Sequence, residues 1–240
     1  MSLTLRTATA SDVGPVRANN EDSAYAGQRL VALADGIGGM PSGELASAIV
    51  VRALAAVEER TPDDRSALET LRVTVEAANR TIMETAARDE AHDGMGTTVT
   101  ALALAGEEIA LVHVGDSRCY LERDGELTQL TKDDTFVQSL VDEGLLTAAE
   151  ARIHPRRSIV TQALQGIGYE PTCRLLPVRV GDRYLLCSDG LSDFVTDDVI
   201  GHTLRSSSDL DQCAAQLIRL ALDNGGSDNI TVVIADVTPA

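Results

Sequence analysis

Apolar residues fall into two rhythms along this chain. One is short and strand-like: LTLRTAT, LVALA, TTVTALAL, EEIALVHV, RCYLE, ELTQL, RLLPV, RYLLCS and ITVVIADV have the length and β-branched content of half- or fully buried strands. Between Leu121 and Leu127 the stretch ERDGE places Asp-Gly at a turn between two of them. That is a hairpin signal, and short links of this kind imply antiparallel pairing. The other rhythm is helical. From about Ser42, the residues Leu45, Ile49, Val50, Leu54 and Val57 share one side. From Thr61-Pro62, a cap with Pro at the first helical position, a second stripe runs through Leu68, Leu71, Val75, Ala78, Ile82 and Ala86. A further helix pair spans about 132 to 153. Its first member stops at Gly144, and its second opens with the capping box Thr147 to Glu150. A last helix, roughly 209 to 223, runs into Asn224-Gly225-Gly226.

Neighbouring strands with segregated helix pairs predict an α+β fold in which helices cover a sheet or sandwich. No repeat, low-complexity tract or Pro/Gly/Ser-rich linker divides the chain, so residues 1–240 are expected to form one domain. Aromatic residues are only 2% of the composition, so Ala, Leu, Val and Ile must fill the core. A net charge of −17 repels nucleic acid and anionic membranes, and a phosphate-bearing partner must be met by local charge such as bound cations. The chain holds no 18-residue apolar run, and its N-terminus lacks the basic and apolar regions of a signal peptide. The expectation is a cytoplasmic location, with no membrane contact within this chain. The apolar ITVVIADV near its end would suit a domain cut from a longer protein. Cys119, Cys173, Cys187 and Cys213 are widely spaced, as reduced thiols would be.

The chemistry gathers at strand ends. In LVALADGIGGMPSG the glycines suggest a phosphate cradle, but Glu44 stands where a P-loop needs Lys. Pro41 stands where a dinucleotide loop needs its third glycine. The acid explains more. Asp35, Asp116, Asp189 and Asp228 each sit at the edge of an apolar strand, in LVALAD-Gly36, LVHVGD-Ser117, YLLCSD-Gly190 and SDN-ITVVIADV. Carboxylates there are costly unless positive charge meets them. With no Cys or His at zinc-like spacing, the set is hard oxygen and suits Mg²⁺ or Mn²⁺. Several such acids can hold two ions ~4 Å apart with a shared water between them. In GPVRANNEDSAYAG, Arg17 precedes the acid pair Glu21-Asp22, and a guanidinium can clamp two phosphate oxygens.

Together these stretches resemble the metal-dependent serine/threonine protein phosphatases of the type 2C (PPM) family, bacterial type. VRANNEDSAYAG, LVALADGIGGMPSGELAS, GMGTTVTALAL, LVHVGDSRCYL, LTKDDTFVQSLVDEG, LLCSDGLSDFV and GGSDNITVVIADV follow the family's order over nearly the full length. The resemblance implies a central antiparallel β-sandwich flanked by helix pairs, with a dinuclear Mn²⁺/Mg²⁺ centre at one end. By the same resemblance Asp35 bridges the two metals, the Gly36 carbonyl binds one, and Asp189 and Asp228 complete the coordination of the first metal. Glu21 acts through water with Asp22 in support, and Arg17 holds the substrate phosphate. A third metal is expected at Asp116 and Asp189 with Asp193 nearby, while Asn229 and Ser188 support. The implied reaction is hydrolysis of phosphoserine and phosphothreonine in proteins by a metal-bridged hydroxide, without a phosphoenzyme. Its partners are phosphorylated proteins, Ser/Thr kinases among them, and the chain is expected to be monomeric. Ile37 stands where eukaryotic relatives often have His, so the general acid is either a metal-bound water or His154. Residues 131 to 168 match the family's flap, whose His154, Arg156 and Arg157 either face a phosphopeptide or form a solvated basic patch. Two rivals remain: a regulatory phosphatase of one dedicated partner, and a catalytically silent binding module of the same fold.

Overall fold

The computed structural model describes residues 2–37, 42–58 and 67–240. Two five-stranded sheets stack face to face, and every strand pair in them is antiparallel. The first runs β1 (Leu3–Asp12), β12 (Ile230–Pro239), β11 (Arg183–Cys187), β8 (Arg118–Arg123) and β9 (Glu126–Gln129). The second runs β10 (Thr172–Pro177), β7 (Glu108–Val114), β6 (Val99–Ala105), β3 (Leu30–Ala34) and β2 (Ser23–Ala26). A short ribbon joins β4 (Gly36–Ile37) to β5 (Gly96–Thr97).

The period-two pattern explains the layering. Along β6, Val99, Ala101, Ala103 and Ala105 point outward to the helices, while Leu102 and Leu104 point inward between the sheets. Along β12, Ile230, Val232 and Ile234 face outward and Val233, Ala235 and Val237 inward. Small side chains on the outer face of β6 let α1 (Ser42–Glu58) and α2 (Ala67–Ala86) pack closely through Val50, Leu54, Leu71 and Val75. Each such side chain, fully buried, contributes roughly 1.5–3 kcal/mol. After β11 a single helical turn, α5 (Asp189–Ser192), leads on to α6 (Asp197–Ser206) and α7 (Leu210–Asp223), which cover the opposite outer face through Ile200, Leu204, Cys213 and Leu217. The result is the expected α+β sandwich with flanking helix pairs.

The flap helices are α3 (Phe136–Asp142) and α4 (Ala148–Arg152), and the capping box forms as read, with Thr147 and Glu150 bonded reciprocally. The hairpin turn also forms, with Asp124 and Gly125 both at positive φ, as a tight turn matched to strand twist requires. Helix α6 was not foreseen. The Thr61-Pro62 cap and the glycines before Ser42 lie outside the described residues.

All four strand-edge acids are carried to one end of the sandwich. Strands β3, β7 and β11 end there in Ala34, Val114 and Cys187, and β12 begins there at Ile230. Because β12 runs antiparallel to β11, the start of one lies beside the end of the other.

Candidate functional site

A cavity of about 150 Å³ opens at that end, lined by Arg17, Glu21, Asp35, Gly36, Asp116, Asp189, Asp228 and Asn229 from the core. Ile37 also lines it, and Ser158 and Val160 reach in from the flap. A larger cavity, about 400 Å³, lies beneath α3 and α4 and shares Asp116, Asp189 and Ser158 with the first. Asp193 lines the larger one.

Backbone packing brings these segments within reach of each other. A β-carbon at Gly36 would stand 2.5 Å from the Gly43 carbonyl oxygen and 2.7 Å from that of Glu21. One at Gly190 would overlap the Asn229 carbonyl oxygen. The glycine after each of these two acids is therefore needed where main chains touch, a stronger reason than keeping a side chain clear of a cation.

Hydroxyls and an amide then fix the acids. The Asp35 N–H donates to Thr98 Oγ1 at 2.9 Å, while Thr98 N–H and the Thr97 hydroxyl both donate to the Asp35 carbonyl at 2.9 Å. The Thr98 hydroxyl also pairs with Ser117 Oγ at 2.8 Å, linking the Asp35 turn to the residue after Asp116. Asn229 ties the Arg17 loop to β12: its Oδ1 accepts the Glu21 N–H at 2.8 Å, and its amide donates to the carbonyls of Val13 and Asn19 at 3.0 and 2.9 Å. Ser188 donates to Asp22 Oδ2 at 2.8 Å and accepts the Thr231 N–H. Asn229 and Ser188 thus take supporting positions. The roles of Thr97, Thr98 and Ser117 were not read from the sequence. Adjacent threonines ahead of a buried strand were visible, but nothing there says which loop their hydroxyls meet.

The electrostatics are those of an acid cluster short of positive charge. Burial, then the neighbouring carboxylates of Asp22 and Asp189, raises Asp35 well above the ordinary carboxylate range. Asp189 is raised in the same way, by burial and then by Asp116 and Asp193. Burial followed by repulsion from Asp133 pushes Asp116 up to about 7, and burial pushes Asp22 up to about 6. Glu21 is raised, again chiefly by burial. Arg17 donates from Nη2 to Asp228 Oδ2 at 2.6 Å, and this hydrogen bond raises its own pKa.

Such a donor set fits hard divalent cations. It is all oxygen, its members repel one another, and Asp22 Oδ1 is buried without a hydrogen-bond partner. Among the described residues no three acidic, His or Cys side chains close around one point by themselves. A cation held there would complete its shell from a carbonyl such as that of Gly36 and from water, as Mg²⁺ and Mn²⁺ do. Asp193 lines the neighbouring cavity together with Asp116 and Asp189, its Oδ2 accepting from Arg157 Nε at 3.0 Å. His154 does not line the cavity at the strand ends. It lies on the flap against Phe136, and its Nδ1 accepts the Arg156 N–H at 3.1 Å.

The chain's sequence matches the profile of the family described as Protein phosphatase 2C over residues 17–231. It is 54% identical over 237 residues to the serine/threonine protein phosphatase PstP of Mycobacterium tuberculosis, covering 99% of this chain and 46% of that protein. This chain therefore spans about half the length of that relative. The crystal structure of M. tuberculosis PstP/Ppp superposes with a TM-score of 0.93 at 53% identity, over 97% of this chain and 98% of the other. A PstP catalytic domain in complex with 2 manganese ions gives 0.93 at 52% identity, over 99% and 100%. The M. smegmatis PPM Ser-Thr phosphatase MsPP, in complex with cacodylate, gives 0.83 at 38% identity, over 97% and 98%.

Proposed function

Since this chain belongs to the Protein phosphatase 2C family, we propose that it hydrolyses phosphoserine and phosphothreonine in proteins and opposes Ser/Thr kinases in bacterial signalling. The observation that carries this reading is the convergence of Asp35, Asp189, Asp228 and Glu21 on one small cavity with Arg17 at its rim. In this reading residues 1–240 act as one monomeric catalytic domain. Among the described residues no helix is long and apolar enough to cross a membrane, and the proposed location is the cytoplasm.

Asp35, the Gly36 carbonyl, Asp189 and Asp228 would hold two Mn²⁺ or Mg²⁺ ions, with Glu21 acting through water and Asp116, Asp189 and Asp193 offering a third position. When bound, the ions neutralise phosphoryl charge and lower the pKa of water. The protein's own part is placement. Arg17 uses one N–H on Asp228 and keeps its remaining donors for the phosphoryl oxygens, the planar fork that such a group needs. Thr97 and Thr98 hold the Asp35 turn, Asn229 holds Glu21, and Ser188 holds Asp22 from behind. Fixed charges of this kind need not reorganise as charge develops in the transition state.

Among the described lining residues there is no Cys, His or Lys, and one hydroxyl, that of Ser158. Cys and His nucleophiles are thus missing from the described lining, and carboxylates engaged on cations would be poor nucleophiles, which favours direct attack by water. His154 does not line the cavity, so in this reading the leaving group takes its proton from water. The test is Mn²⁺-dependent release of phosphate from a phosphothreonine peptide. Near-normal release by Asp189→Ala would sink the reading.

A further inference from the structure

The flap presents cations, but most of them are used internally. Arg157 pairs with Asp193, and Arg152 donates from Nη2 to the Val195 carbonyl at 3.0 Å. Both bind flap to core. Arg156 has no carboxylate partner among the described residues. Its guanidinium lies over the Phe136 ring, 5.9 Å from the centroid. The His154 ring meets the same phenyl group at 6.4 Å and 54°.

Phe136 is one of two phenylalanines in a chain with 2% aromatic residues, and it is not spent on the core. Exposed apolar side chains flank it: Ile159 is 48% exposed and Ile153 80%. The group is fastened to the mouth of the catalytic cavity. Phe136 N–H donates to the Ile159 carbonyl at 2.9 Å, and Thr135 bridges Val160. Ser158 and Val160, on either side of Ile159, line the cavity itself. Arg156 precedes Ser158 in a turn closed by the Ile159 N–H donating to the Arg156 carbonyl at 3.3 Å, which keeps Arg156 next to the segment that lines the mouth.

An apolar and aromatic surface with one free guanidinium beside an active-site mouth has the composition of a peptide-recognition patch. Charge says what it recognises. A chain of net −17 repels acidic peptide over most of its surface. Arg156 departs from that, and its position over Phe136 gives the guanidinium a defined orientation for a carboxylate.

We propose that Phe136, Arg156 and Ile159 form a docking platform for the substrate peptide, selecting phosphorylated segments with an acidic residue close to the phosphoresidue. This rests on the phosphatase reading above and adds a sequence preference to it. Arg156 and Phe136 act on the flanking peptide, not on the reacting atoms.

The experiment compares two phosphothreonine peptides, one with Glu and one with Gln at the flanking positions, and p-nitrophenyl phosphate, which has no flanks. All are assayed with Mn²⁺ on the wild type, Arg156→Gln and Phe136→Leu. The p-nitrophenyl phosphate rate divides out any change in folding or in the catalytic centre. The wild type is expected to favour the Glu peptide in kcat/KM by roughly three- to five-fold, the size of an exposed ion pair. The gain should lie in KM and shrink with added salt. Arg156→Gln should bring the ratio to about one, and Phe136→Leu should raise KM for both peptides. If Arg156→Gln keeps the wild-type ratio, or the wild type has no preference, the platform is refuted while the phosphatase reading stands. Failure of the wild type on all three substrates overturns both.

Discussion

Replacing Asn229 with Ala tests how the Arg17 loop is held. The side chain is 6% exposed and makes three hydrogen bonds, to the Glu21 N–H and to the carbonyls of Val13 and Asn19. At about 1 kcal/mol net for each, the loss is roughly 3 kcal/mol. That lies below the 5–15 kcal/mol typical of a whole domain, so the variant should fold. Its melting temperature should fall by roughly 6–12 °C, at 2–4 °C per kcal/mol for a chain of this size. The more telling effect is local. With Asn229 gone, the Glu21 amide loses its acceptor and segment 13–21, which carries Arg17, comes loose from β12. Hydrogen exchange at the Glu21 amide should accelerate by up to about 100-fold, the factor equivalent to 3 kcal/mol. The KM for a phosphothreonine peptide should rise with it. If the melting temperature drops but Glu21 exchange and peptide KM match the wild type, Asn229 is a general structural anchor and the reasoning fails.

Three further outcomes follow from other contacts. Gly190→Ala forces a β-carbon into the Asn229 carbonyl and should cost about 1–3 kcal/mol with most phosphate release lost. Gly125→Ala, strained by a φ of +87 but with nothing within 4 Å, should cost about 1 kcal/mol and leave release intact, as chemical denaturation and a phosphate assay would show. Asp182 is 2% exposed and takes two hydrogen bonds from Arg123 at 2.6 Å. Asp182→Ala should lose about 3 kcal/mol in urea denaturation, and Asp182→Leu combined with Arg123→Leu should recover most of it; a single variant as stable as wild type would contradict this. Burial raises Asp236, but hydrogen bonds from Arg183 on β11 and Arg6 on β1 outweigh it and hold the group below its ordinary value. The stability it contributes is full above the unfolded value near pH 4 and is lost as pH falls through the lower folded value. Asp236→Asn should flatten that part of the acid limb in a pH series of melting temperatures, and an unchanged limb would refute the assignment.

The sandwich was legible because strand-like runs come as neighbours joined by short links while the helices come in separate pairs, the pattern that layered packing demands. The capping box at Thr147 and the Asp124-Gly125 turn were legible because each depends on a few adjacent residues. Helix α6 was not. Val199, Ile200 and Leu204 are its main apolar residues, Gly201 interrupts them, and a serine run follows, so the segment reads as loop until β8 and α7 pack on it. The four strand-edge acids could be seen as a set, since strand ends in one layer can converge. What the sequence could not show was long-range pairing. The Thr98 to Ser117 link and the Arg157 to Asp193 pair join residues 19 and 36 positions apart, and no local pattern selects one hydroxyl or carboxylate over another. His154 illustrates the same gap: the sequence offers it as an acid, and the fold sets it against Phe136 on the flap, outside the cavity lining.

The placement of Phe136 also gives the flap an optical handle. The chain has no tryptophan, and two of its tyrosines, Tyr120 and Tyr184, are sealed in the interior, away from the flap surface. A tryptophan put in place of Phe136 would be the sole indole in the chain, beside an imidazole and a guanidinium. Excited near 295 nm, it would emit without interference from the tyrosines. Quenching or a spectral shift on adding peptide would then report what happens on this one patch of surface in real time, separately from turnover.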